Sequence, residues 1–265
     1  MARTTIQIQP PLAGVDRAYA FQSQPPFTLS DANNVRGRSV FDQRAILGSR
    51  PGLVKAFAQN VSMAGGSEVE SFTEHFFAAK DVTLVGLDPN GNYDGTTSTR
   101  SLRMGCGPTG LANDKRRFLM HFDMTDIPAS ATITAASLYL RCWFTESDGP
   151  AKIYRVTQTS WVEAQATWNS YATSLTWATA GLGTSDYTTT GQLDFTKPVD
   201  VGDFTISGLA ALAQTAYDSV SKQLHLVFVS TDETTTNTDC GFRQSEYTAD
   251  SSHVPKLTVS YTVPA

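Results

Sequence analysis

From His75 onward, apolar and polar residues alternate in short runs separated by turn residues. Leu138, Leu140 and Cys142 alternate with Tyr139, Arg141 and Trp143, the period of a strand that buries one face. Phe118, Met120 and Phe122 alternate with Leu119 and His121, and Leu224, Leu226 and Phe228 alternate with His225, Val227 and Val229. These runs predict strands over 116–122, 136–144 and 223–230. Further strands are expected over 76–85, 152–157 and 256–262. The segment Asp126-Ile127-Pro128-Ala129 reads as a turn, because proline leaves the ladder there. Residues 206–217, rich in Ala and Leu, are the single helix candidate. Many short strands with turns between them predict an all-β sandwich.

Residues 1–60 follow a different pattern. Pro10, Pro11, Pro25, Pro26 and Pro51 interrupt every candidate element. Short extended pieces fit 4–9 and 39–41, and Asp31 has the character of a helix N-cap before Ala32-Asn33-Asn34-Val35. Residues 61–74, small and polar around Gly65-Gly66, read as a linker. The organisation expected is an extended arm over 1–60, a linker over 61–74 and a β-sandwich over 75–265.

Charge sharpens this division. Residues 1–60 hold seven Arg and Lys against three Asp, a net +4, so the rest carries 13 bases and 22 acids, a net −9. The basic arm is suited to meet an acidic surface. Three cysteines, Cys106, Cys142 and Cys240, are too few and too scattered for a disulfide framework or a zinc site, and are expected as free thiols made in a reducing compartment. No apolar run is long enough to span a bilayer, and the first residues lack the apolar core of a secretory signal.

Four patterns occur in order along the C-terminal part. The first is a strand, an Asn-rich turn and a short strand, DVTLVGLDPNGNYDGTTSTRSLRMG, from Asp81 to Gly105. The second is Arg117, Phe118-Leu119-Met120, Phe122-Asp123, Ile127-Pro128, Ala131, Ile133, Ala136 and Leu138. The third is Trp161, Glu163, Thr167, Trp168 and Asn169, and the fourth is Phe242, Glu246, Pro255, Leu257, Val259 and Tyr261. Together they resemble the DNRLRE family of β-sandwich domains over residues 77–263. The resemblance implies a jelly roll of two antiparallel sheets and a role in attachment or sugar binding rather than chemistry. It also implies structural roles for Asp123, Glu246 and the Trp161–Trp168 pair. A looser resemblance, carried by Gly14-Val15, Pro25-Pro26, Ala32, Asn34-Val35 and Arg50-Pro51-Gly52, is to the opening of bacteriophage tail and neck proteins.

Several constellations have the residue types of a site. Asp88, Asn90, Asn92 and Asp94 place oxygen ligands at alternate positions, a pattern for calcium or for a hydrogen-bonded turn. Trp143 and Trp177 are the candidate sugar-stacking rings. The histidines His75, His121, His225 and His253 show no HExxH spacing and are expected as surface or hydrogen-bonded residues. Asp123, Asp126, Glu163 and Glu246 have the chemistry of a glycosidase pair, but the fold motifs claim two of them. Arg36, Arg38, Arg44 and Arg50, with Pro51, are expected to anchor the arm on acidic virion neighbours, and without interleaved aromatics they do not argue for nucleic acid.

The reading that unites these features is a non-enzymatic virion structural protein of a bacteriophage, made in the host cytoplasm. Its arm would anchor it to capsid, neck or tail subunits in a multi-copy assembly. Its jelly roll would be displayed for decoration or for binding a host-surface glycan. The alternative is a carbohydrate-binding module of a secreted or cell-surface bacterial protein.

Overall fold

The computed structural model describes residues 69–95, 102–109 and 111–264, together with four two-residue strands nearer the N-terminus. The chain divides into two units, Met1–Gly66 and Ser67–Ala265. In the first, β1 (Gly14–Val15) pairs in parallel with β2 (Thr28–Leu29), and β3 (Val35–Arg36) pairs antiparallel with β4 (Gly48–Ser49). The extended pieces expected over 4–9 and 39–41 lie outside the described residues. So does the helix start at Asp31, and Val35, expected within that helix, opens β3 instead.

The second unit contains β5 (Val69–Phe77), β6 (Lys80–Val85), β7 (Leu102–Cys106), β8 (Lys115–Asp123), β9 (Thr132–Thr145) and β10 (Pro150–Val156). The short hairpin of β11 (Ser170–Ala172) and β12 (Leu175–Thr176) follows, then β13 (Tyr187–Thr196), β14 (Gly202–Ser207) and α1 (Ala210–Tyr217). The chain ends with β15 (Gln223–Ser230), β16 (Cys240–Phe242) and β17 (Lys256–Pro264). Eleven of these strands form one curled antiparallel sheet. One layer runs β5-β17-β9-β14, with β16 beside the C-terminal half of β9, and the other runs β13-β10-β15-β8-β6. Strand β7 pairs with both β8 and β16 and joins the layers. The all-β sandwich with one short helix, expected from the alternating pattern, is the observed architecture.

The main core lies between the layers. Phe118 stacks on Phe228 with ring centroids 4.2 Å apart and meets Phe242 edge-on at 5.9 Å. Met120, Phe122, Leu138, Leu140, Leu226 and Leu257 surround them, all fully buried. Each such side chain contributes about 1.5–3 kcal/mol of burial free energy. Helix α1 adds Leu212, Ala213, Ala216 and Tyr217 to the same core.

A second, smaller core lies on the other side of β8 and β15. The long connection between β10 and β13 brings Trp161, Ala166, Trp177 and Leu182 onto Val82, Leu84, Leu119 and Val227. Strands β8 and β15 are therefore buried on both faces, which explains why Leu119 and Val227 are apolar where a half-exposed strand would be polar.

Three expectations change. Strand β5 begins at Val69, within the stretch read as linker, and pairs along its whole length with β17. Its inward-leaning residues include Glu70 and Glu74, so the apolar alternation is masked; Tyr261 donates its hydroxyl to Glu74 Oε1 at 2.6 Å and stacks on Phe72 at 5.5 Å. Charge on an edge strand discourages pairing with foreign strands. Residues 76–85 form parts of two strands in different layers, with a corner at Ala78-Ala79. Finally, α1 starts at Ala210 and not at Ile206, which belongs to β14; Gly208, at φ +92°, takes the left-handed conformation that separates strand from helix.

Cys106, Cys142 and Cys240 are free and buried. Burial pushes all three thiols up from their ordinary range, Cys240 furthest. They are expected to resist a thiol reagent in the native protein and all to react after denaturation without reductant. A thiol count below three in the denatured chain is the opposing result.

Candidate functional site

The outer face of the second layer is roofed by the β10–β13 connection, whereas the outer face of the first layer carries open positions. Direct strand partners share a face, so the register places side chains there in rows. One row runs Thr205, Tyr139, Lys256 and Phe77, and the next runs Ser207, Ser137, Thr258 and His75. Arg141 pairs with Asp203 beside the first row. Alternation along β9 makes Tyr139, Arg141 and Trp143 outward while Leu138, Leu140 and Cys142 enter the core.

The polar groups hold the rings in place. Asp203 Oδ1 accepts from the Tyr139 hydroxyl at 2.7 Å and from Arg141 at 2.9 Å. Burial, then the bond to Asp203, pushes the Tyr139 phenol up to about 12, and the same two donors hold Asp203 below the usual carboxylate range. The Lys256 ammonium lies 5.7 Å from the Tyr139 ring. Arg243, whose N–H donates to the Arg141 carbonyl at 2.9 Å, places its guanidinium 5.4 Å from Trp143 and 4.3 Å from Tyr247. Phe77 is 59% exposed and Trp143 is 37% exposed. An open depression of about 360 Å³, lined by small residues including Ser137, Ser207, Gly208, Thr258 and Ser260, adjoins the aromatic row.

Of the two tryptophans expected to stack on sugar, only Trp143 is on this face. Trp177 is 3% exposed in the second core and donates its indole N–H to the Thr167 carbonyl at 2.8 Å, so neither ring face is open to a ligand. Trp161 is buried and donates to His225 Nδ1 at 3.0 Å. Trp168 packs under Arg117, 5.3 Å from its ring, and Arg117 makes a bidentate pair with Glu233 at 2.7 and 2.6 Å. Sequence reasoning missed Tyr139, Arg243, Tyr247, Lys256 and Phe77 as a group. They come from separate strands and loops, and only the register unites them.

The Asn-rich turn works as a bridge. Asp88 Oδ2 accepts from the Tyr93 hydroxyl at 2.9 Å, and Asn90 Oδ1 accepts from the Asn169 amide at 3.0 Å. The Asn92 amide donates to the carbonyls of Glu163 and Ala166 at 2.7 and 2.8 Å. Asp94 is buried. Of the four oxygen residues expected as calcium ligands, Asn90 and Asn92 hold the turn against the 163–169 segment, and Asp88 bonds within the turn.

A different acidic cluster stands beside that turn. One ligand atom from each of Asp81, Glu163 and Glu246 lies within 4.8 Å of the others. Asp81 is 1% exposed in β6; its N–H donates to Glu163 Oε1 at 2.6 Å, and its Oδ2 accepts from the Ser245 N–H at 2.8 Å. Its Oδ1 is buried and has no hydrogen-bond partner among the described residues. Glu246 Oε1 accepts from the Ser245 hydroxyl at 2.8 Å. Burial, then the nearby Glu246, pushes Asp81 well above the carboxylate range, and burial pushes Glu163 up to about 7. Glu163 and Glu246 were both singled out in the sequence. Asp81 was not, although an acid inside an otherwise buried strand is the signal that could have found it. Asp123 and Asp126 lie apart from this cluster, at the end of β8 and in the turn after it, where Asp123 Oδ1 accepts from the Thr125 N–H at 3.0 Å.

His75 is exposed and His253 partly exposed, and both are partnered, as expected, whereas His121 and His225 differ from expectation. His121 and His225 are cross-strand partners, both buried and stacked with ring centroids 4.2 Å apart. Neither ring nitrogen of His121 and not Nε2 of His225 has a partner among the described residues. Arg38, Arg44, Arg50 and Pro51 lie outside the described residues, and Arg36 is described only as backbone in β3. No described helix is long and apolar enough to cross a membrane.

No curated protein matches the sequence. Among solved structures, a chain of the cryo-EM structure of Mud crab tombus-like virus is similar at 10% identity, covering 82% of this chain and 91% of that one. Its TM-score of 0.30 is too low to carry an inference. The family model that matches is carbohydrate-binding module family 96, over residues 73–216, from β5 to the end of α1. The match takes in the first three of the four sequence patterns and the three outward residues of β9, and by it the chain belongs to carbohydrate-binding module family 96.

Proposed function

We propose that residues 69–264 form a non-catalytic carbohydrate-binding module whose binding surface is the outer face of β9, β14 and β17. The observation that carries this reading is the row of Tyr139 and Trp143, held by Arg141, Arg243 and Asp203, on the open layer of a family-96 domain. A pyranose ring presents apolar C–H faces and a rim of hydroxyls. Aromatic rings take the former, and fixed charged groups take the latter.

The test is affinity electrophoresis against a panel of soluble polysaccharides, followed by calorimetry on the best binder. Trp143→Ala and Tyr139→Ala are each expected to weaken binding about tenfold or more, equivalent to about 1.4 kcal/mol. Their melting temperatures should stay within a few degrees of the parent, because both side chains point outward. Trp177→Phe, which alters only a buried ring, should leave affinity unchanged. Undiminished binding in both outward variants would place the glycan elsewhere.

We propose, second, that residues 1–60 anchor the module to an acidic partner in a larger, multi-copy assembly such as a virion. The support is the net +4 of that stretch against −9 for the remainder, and the division of the chain at Gly66. Deleting residues 1–60 should abolish incorporation into the assembly and leave polysaccharide binding intact. Incorporation of the truncated protein at the parent level refutes an anchoring role.

A further inference from the structure

We propose that Asp81, Glu163 and Glu246 bind one calcium ion, in a site distinct from the Asn-rich turn and independent of the sugar-binding reading. Calcium is held by oxygens at about 2.3–2.6 Å, so ligands on opposite sides of one ion are separated by up to roughly 5 Å. The three carboxylates satisfy that limit, with one atom of each inside a 4.8 Å span. Packing alone does not explain the arrangement. Three acids converge, and Lys80, the neighbouring cation, faces the Trp161 ring at 5.5 Å.

The second, independent observation is the state of Asp81. It is 1% exposed, yet its Oδ1 has no donor among the described residues. A buried carboxylate oxygen without a partner costs several kcal/mol unless a proton or a cation meets it. The remaining bonds direct the group without satisfying it. Ser245 N–H fixes Oδ2, Asp81 N–H fixes Glu163 Oε1, and Ser245 Oγ fixes Glu246 Oε1. Each carboxylate therefore has one oxygen pinned and a second that accepts nothing among the described residues. The upward displacement of Asp81 and Glu163 from the ordinary range is the electrostatic expression of the same crowding.

The chemistry selects the ion. All donors are hard oxygens, which excludes a preference for soft metals. Asp81 is buried, Glu163 is intermediate and Glu246 is exposed, so the cluster opens to solvent on the Glu246 side. Water can complete a coordination sphere of six to eight from that side, and calcium tolerates such irregular geometry better than magnesium. A bound ion would join three distant segments: β6, the Glu163–Gln165 turn and the loop after β16.

The experiment is thermal unfolding of the full chain, first stripped with chelator and then titrated with calcium chloride, with calorimetry for stoichiometry. At 100-fold excess over Kd, the melting temperature should rise by about 5–10 °C, with one ion per chain. Asp81→Asn should abolish the rise while leaving the calcium-free melting temperature equal or higher, because it relieves like-charge crowding. Glu246→Gln, at the exposed rim, should fold normally and weaken calcium at least tenfold, which keeps the test decisive if the buried variant fails to fold. Asp88→Asn in the turn should retain the full rise. The proposal is overturned if the stripped parent shows no rise at millimolar calcium. It is equally overturned if Glu246→Gln keeps the parent's rise or Asp88→Asn loses it.

Discussion

Asp239→Ala is expected to lower folding stability by about 3–5 kcal/mol, the cost of removing one partner from a buried ion pair. Asp239 is fully buried, and its Oδ2 is the shared acceptor of Arg103 and Arg116. Arg116 also meets Asp114, another fully buried acid, at 3.1 Å, and Asp114 Oδ2 accepts from the Thr109 N–H and hydroxyl at 3.1 and 2.8 Å. Two arginines and two aspartates thus form a neutral set between β7, β8 and the segment leading into β16. Removing one anion leaves two guanidinium groups sharing one aspartate, with Arg103 stacked 4.5 Å from the Phe144 ring. The backbone is fitted to the same cluster. A Cβ on Gly105, at φ +122°, would fall 2.6 Å from the Asp239 Cα, so Gly105→Ala should be severely destabilising as well. Urea unfolding of parent and Asp239→Ala measures the loss directly. A change below about 1 kcal/mol would show that the arginines reach solvent and that the set contributes little.

How much of this was legible in the sequence depended on whether one element or several supplied the signal. Strand β9 was legible because Leu138, Leu140 and Cys142 face one core and Tyr139, Arg141 and Trp143 face outward. Strand β15 was legible for its boundaries but not its environment. A second core beneath the β10–β13 connection buries its other face, and no local pattern reports a layer supplied by residues 45 to 66 positions from Val227. Strand β5 was read as linker over its first six residues because Glu70 and Glu74 occupy inward positions on an edge strand. Trp177 and Trp143 were equivalent as letters, and only the fold distinguishes the ring roofed by the connection from the ring on the open layer. Asp81, Glu163 and Glu246 are 82 and 83 residues apart in succession, so their convergence is a property of topology alone.

Acid is expected to destabilise the sandwich through His121 and His225, and the effect should be separable by one substitution. Burial, then the charge of Lys80, lowers His121 from 6.5 to about 4; burial, then His121, lowers His225 to about 3. The Trp161 N–H donates to His225 Nδ1, a bond that requires this nitrogen to be unprotonated. Above pH 6.5 both histidines are neutral in folded and unfolded chains and stability does not depend on them. Below pH 6.5 the unfolded chain takes up protons that the folded chain refuses, so stability falls with pH until the folded values near 4 and 3 are reached. At pH 4.5 each histidine alone accounts for a loss of about 2–3 kcal/mol. Glu163, raised to about 7, acts in the opposite sense between pH 7 and 4.5, because the folded chain holds a proton there that the unfolded chain releases. The net slope of the parent therefore understates the histidine effect, and the comparison must be between parent and variant. His121→Leu is the suitable variant because neither nitrogen of His121 has a partner to lose among the described residues. Urea unfolding at pH 7.5 and pH 4.5 should show His121→Leu equal to or above the parent at pH 7.5. Its advantage should widen by about 2–3 kcal/mol at pH 4.5. The carboxylates are common to both proteins and cancel in that difference. An advantage that does not widen with acid would mean that the buried imidazole titrates near its ordinary value in the folded chain.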